Sequence, residues 1–131
     1  MSVLPERVRK EPRPRQYFME HRALLVLTTV PDAATAERIA QVLVEARLAA
    51  CVNVLPGVES IYRWQGAVTR SAELQLLIKT TTERYSTVEE AIRMHHPYDV
   101  PEVIAVPIDA ASSTYLRWLF EETREAPTFL A

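Results

Sequence analysis

Apolar residues recur along this chain in two different periods. ALLVLTTV, residues 23–30, is a short, β-branched apolar run closed by Pro31, which predicts a buried strand. Asp32 then stands where an N-cap belongs, its carboxylate able to accept the free amide hydrogens of a first helical turn. Beyond it Ala36, Ile39, Ala40, Leu43, Val44 and Leu48 follow helical spacing, while Glu37, Arg38, Gln41 and Glu45 face the other way. An amphipathic helix is expected there.

AACVNVLPGVESIYRW and AVTRSAELQLLIKT are β-rich and alternating. They predict a long hairpin whose arms span roughly 50–64 and 67–81, bent at Pro56-Gly57 and turned near Gly66. Leu74, Leu76 and Ile78 should line its core face. TTERYSTVEEAIRMHH reads as a second helix with Tyr85, Val88 and Ile92 on one stripe and STVE as an internal capping box. Pro97 ends it and pushes His96 out of helical geometry. VPEVIAVPI is a fourth strand with Pro101 and Pro107 near its ends, because neither can donate a ladder hydrogen bond. SSTYLRWLFEETR is a third helix with Tyr115, Leu116, Leu119 and Phe120 inward. The order β-α-β-β-α-β plus a terminal helix predicts an α+β fold of the ferredoxin-like, split βαβ kind, an antiparallel sheet backed by helices.

Composition narrows the function classes. The chain has 131 residues, 48% hydrophobic and 24% charged, as expected of one soluble globular domain. No apolar run approaches a membrane span and no secretory h-region opens the sequence, so a cytoplasmic protein without a membrane partner is expected. Residues 1–22 carry six basic against three acidic residues and three of the nine prolines. They read as a basic extension outside a domain covering 23–131, with Tyr17, Phe18 and Met19 as the cluster able to fasten it. The body is left with a net charge of -5, the wrong sign for nucleic acid.

Candidate chemistry is sparse. Phosphate loops, HExxH and GxSxG are missing, and no activated nucleophile is readable, so no enzyme is expected. Cys51, the single cysteine, sits in the apolar stretch LAACVNVL without a CxxC partner. His95 and His96 are adjacent and therefore point apart, so they do not grip one ion by themselves. By residue type they suit capping or packing of the second helix, or single ligation to an ion completed from elsewhere. Asp99 and Glu102 with His96 form a mixed N/O set that also suits a solvated loop. Tyr62 and Trp64, near the hairpin tip, would be exposed on a lone protomer, which predicts burial against another copy of the chain.

LAACVNVLPGVESIYRWQG, LLIKT, HHPYDVPEVIAVPI and YLRWL, in this order and spacing, closely resemble the CutA family of divalent-cation tolerance proteins over about residues 24–124. The resemblance implies a ferredoxin-like protomer assembled as a homotrimer through its hairpin arms. It also implies binding of copper or another divalent metal ion, not required for folding, with Cys51, His95 and His96 at the positions proposed as ligands. The trimer resembles that of the PII signalling proteins, which hold small molecules in clefts between subunits. Lys79, Tyr98 and Glu102 lie in the matching stretches as candidate cleft residues, and a PII-like regulatory trimer is the alternative function.

Overall fold

A computed structural model describes residues 22–125; the basic extension up to residue 21, with its Tyr17–Met19 cluster, lies outside the described residues. The elements run β1 (Ala23–Val30), α1 (Ala33–Glu45), β2 (Cys51–Trp64), β3 (Ala67–Thr81), α2 (Tyr85–His95), β4 (Ile104–Pro107) and α3 (Ser113–Glu122). The four strands form one antiparallel sheet in the order β2-β3-β1-β4, the expected α+β ferredoxin-like arrangement.

Strand alternation divides the sheet into two faces. Val26, Val30, Leu76 and Ile78 point to one side, where Ile39 and Leu43 of α1 and Val88 and Ile92 of α2 close a core of fully buried side chains. Truncating one of these, such as Ile78→Ala, would cost about 2–5 kcal/mol through lost burial and the cavity left behind. α3 docks elsewhere, against β3 and β1, with Leu119 fully buried and Leu116 and Phe120 half-buried. Tyr115, expected inward, is exposed on the flank of that helix.

The helix ends explain where the chain turns. Asp32 caps α1 as expected, its Oδ1 accepting from Thr35 N at 2.8 Å, and this bond holds its carboxyl below the usual aspartate value. The helix stops at Glu45, so Leu48 lies beyond it and reaches the core by another route. Arg47 takes φ 61°, Leu48 N donates to Leu43 O and Arg47 N to Val44 O, which together make a Schellman closure with Leu48 packed back into the core. The Arg47 guanidinium then donates to Glu121 O at 2.7 Å and Arg124 O at 3.0 Å, tying the end of α1 to the end of α3.

Two differences from the sequence reading are physical. Ser86 lies inside α2, whose N-cap is Arg84 without a side-chain cap, so the STVE box goes unused. The fourth strand is confined to Ile104–Pro107, since residues 98–103 leave the ladder to form a loop.

The hairpin is the part of the fold that builds a site. Trp64 pairs with Ala67 across a two-residue turn in which Gln65 and Gly66 both have positive φ, matching the right-handed twist of the strands. Farther down, Pro56 and Gly57 together oppose Leu74, a bulge with Gly57 at φ 82°. An extra residue reverses side-chain alternation. Cys51, Asn53 and Leu55 before the bulge and Ser60, Tyr62 and Trp64 after it therefore share the face that carries Glu73, Gln75, Leu77 and Lys79 of β3.

Candidate functional site

The face of the sheet opposite the α1/α2 core holds two polar clusters at opposite ends. At one end Cys51, half-buried, pairs with Lys79, whose Nζ lies 3.8 Å from Sγ and also donates to Asn53 Oδ1. Tyr115 of α3 flanks them: burial first, and the nearby Cys51 second, push its hydroxyl above the usual tyrosine value.

At the other end is a cleft of about 450 Å³ between the hairpin and the loop that follows α2. Its floor is Glu73, 6% exposed, whose carboxylate accepts from Ser60 Oγ at 2.6 Å and from Tyr98 Oη at 2.7 Å. Tyr62 and Trp64 form one wall, and Tyr98, Asp99 and Glu102 form the other. Burial and the Glu73 charge both push the Tyr98 hydroxyl well above the usual tyrosine range, so it stays a neutral donor.

His96 holds the loop in place. As expected, Pro97 forces it out of α2 into extended backbone, φ -96° and ψ 135°. Its ring is buried, with Nε2 2.8 Å from Thr29 O and Nδ1 accepting from Tyr98 N at 3.2 Å. A carbonyl at Nε2 and an amide hydrogen at Nδ1 specify the neutral ring protonated on Nε2. Its centroid stands 4.7 Å from that of Tyr98, completing the clamp. In this arrangement His96 ligates an ion only by giving up one of the two bonds. His95 is half-buried at the end of α2; its carbonyl accepts a long 3.5 Å bond from Arg38, and among the described residues no hydrogen bond holds its ring.

The sequence-derived metal set is thus not assembled within one chain. Cys51 lies opposite Lys79, which pairs with Leu25, whereas His96 touches Thr29 four residues along β1. That offset is about 13 Å along the strands, with two strand spacings of roughly 5 Å between. Among the described residues no three His, Cys, Asp or Glu side chains come close enough to hold a metal ion. Of the residues expected at a cleft between subunits, Tyr98 and Glu102 line this cleft within one chain, together with Tyr62 and Trp64, which were expected at a subunit interface, and Lys79 lies beside Cys51. Glu73 and Ser60 were not anticipated, although a glutamate inside the apolar run AELQLL is a visible irregularity.

Comparison with known proteins agrees with this architecture. The family model described as CutA1 divalent ion tolerance protein matches residues 24–122. The divalent-cation tolerance protein CutA of Thermus thermophilus is 52% identical over 99 residues, 76% of this chain and 96% of its own length. The CutA of Pectobacterium atrosepticum is 43% identical over 97 residues, 74% of this chain and 88% of its own. The solved Thermus thermophilus structure superposes with a TM-score of 0.77 at 51% identity, covering 78% of this chain and 99% of its own. CutA1 from Oryza sativa gives 0.77 at 43% identity, covering 80% and 96%. On the match over residues 24–122 and the shared fold, the chain belongs to the CutA1 divalent ion tolerance family.

Proposed function

We propose that this protein binds divalent metal ions, copper foremost, and acts in tolerance of them as a homotrimer rather than as an enzyme. The observation that carries this reading is the family match over the whole folded body, with relatives named for divalent-cation tolerance. The side chains add chemical support. Cys51 offers a thiol and His95 an imidazole that no hydrogen bond holds among the described residues, both ligand types that copper prefers. Each can give one bond, and their separation in one chain calls for an ion shared between copies, with His96 positioning the segment beside it.

Self-association has its own support. β2 is an edge strand of 14 residues, and an unpaired edge of that length is a template for another chain. Exposed apolar side chains accompany it, including Ile61 at 56% and Val68 at 66% on the hairpin.

Titration calorimetry of metal-stripped protein with Cu(II) and Zn(II) tests the reading. The comparison samples are the Cys51→Ala/His95→Ala/His96→Ala variant and a chain unfolded in denaturant. Saturable binding by the folded wild type that the variant loses is expected, with sedimentation showing a trimer. Equal binding in all samples would make copper uptake incidental, because Cu(II) tops the affinity order for most N and S ligands.

A further inference from the structure

The cleft over Glu73 has a chemistry that the metal reading does not use. Three carboxylates, from Glu73, Asp99 and Glu102, line it together with the rings of Tyr62, Trp64 and Tyr98, and among the described residues no Lys, Arg or His contributes to the lining. We infer that this cleft binds a small organic cation, a guanidinium or alkylammonium group on a short apolar stem.

Hydrogen-bond direction supports the sign. Ser60 and Tyr98 each have one hydroxyl proton, and both donate it to Glu73. Their remaining valence is lone pairs, so the two hydroxyls can only accept from a ligand. With the carboxylates of Asp99 and Glu102 at the rim, acceptors outweigh the donors left on the Tyr62 hydroxyl and the Trp64 indole, which favours a ligand rich in N–H donors over phosphates and carboxylates. Aromatic walls complete the match, since ring faces attract a weakly hydrated cation and cover its apolar stem.

Size and spacing separate this ligand from a metal ion. The cleft volume, about 450 Å³, is that of a small-molecule site. Its acidic groups do not converge into a metal-holding cluster. Negative charge spread along a cavity suits an extended cation with delocalised charge, whereas a divalent ion needs its ligands within one coordination sphere. Cys51 and His95 take no part, so the inference stands apart from the copper proposal.

Butylguanidinium and butylurea have nearly the same shape and differ in charge, which makes them the probes. Trp64 and Trp118 are the two tryptophans, so a Trp118→Phe background leaves Trp64 as the reporter. Titrations of the full-length protein, at constant ionic strength and in its native assembly, follow Trp64 emission. Butylguanidinium should give a saturable change at low-millimolar concentration or below, and butylurea one at least about tenfold weaker. Asp99→Asn/Glu102→Gln, two loop-surface changes that leave Glu73 and its hydroxyls intact, should weaken the cation by about tenfold or more while circular dichroism and Cu(II) binding stay unchanged. Equal responses to the two probes, no saturable response, or a response untouched by the double variant would each overturn the inference. Should the double variant lose its fold, wild-type discrimination between butylguanidinium and butylurea decides alone.

Discussion

Tyr98 and Glu73 are 25 residues apart in sequence, and the phenol of one donates to the buried carboxylate of the other across 2.7 Å. The bond pins the loop after α2 to the floor of the cleft. Tyr98→Phe keeps the ring and leaves Glu73 with Ser60 as its remaining partner. An expected loss of about 1–2 kcal/mol, measured by urea unfolding, follows for a hydrogen bond to a charged acceptor at a partly exposed site. The raised Tyr98 value adds a pH signature. Stability from holding this phenol neutral is fully present below the unfolded tyrosine value of about 10 and falls as pH rises above it toward the folded value. Tyr98→Phe should flatten that alkaline decline.

His95 and His96 should separate in their effects. His96→Ala removes partners from Thr29 O and Tyr98 N in a buried setting. A loss of about 2–4 kcal/mol is expected, from unmade hydrogen bonds plus a cavity. His95→Ala should stay within about 0.5 kcal/mol, as a change away from any network does. On the copper reading His95→Ala nonetheless weakens Cu(II) binding, so thermal melts and calorimetry of both variants give opposite rankings.

Arg47 combines a backbone role with a side-chain role. Arg47→Gly relieves the left-handed conformation at φ 61°, a gain of roughly 1 kcal/mol. It also deletes the guanidinium bonds to Glu121 O and Arg124 O. The expected net result is a small change in global stability with faster amide exchange confined to α3. Unchanged exchange in residues 113–122 would show that apolar packing around Leu119 and the Arg84 bond to Thr123 O hold the helix without Arg47.

Asp32→Ala should lower the melting temperature by a few degrees through loss of the α1 cap. The depressed carboxyl value fixes the sign with pH. Its contribution is present above the unfolded aspartate value of about 3.9 and disappears as pH falls through the lower folded value. Wild type and variant should therefore converge in strong acid, while Asp32→Asn, which keeps an acceptor oxygen, loses less.

Most elements could be read from the sequence because each has one dominant period. β1 alternates against a core, and α1 repeats Ile39 and Leu43 on one stripe behind a capping aspartate. Pro97 likewise announced the break at His96. The site was less visible because its composition depends on parity. Pro56-Gly57 signals a bend, but only the register across Leu74 shows that one extra residue carries Ser60, Tyr62 and Trp64 to the face of Glu73. Lys79 shares that face but lies at its far end, beside Cys51, a separation that strand alternation alone does not reveal. Pairing of Tyr98 with Glu73 needs the loop to cross the sheet, and no local pattern encodes it.

The place of β1 in the middle of the sheet also sets a schedule for synthesis. The strand is complete at Val30, yet its neighbours are β3, starting at Ala67, and β4, starting at Ile104. At roughly 5–20 residues per second the ribosome needs about two to seven seconds to deliver the first of them. Throughout that interval ALLVLTTV has no strand partner on either hydrogen-bonding edge, so β1 joins the sheet only after most of the domain has been made.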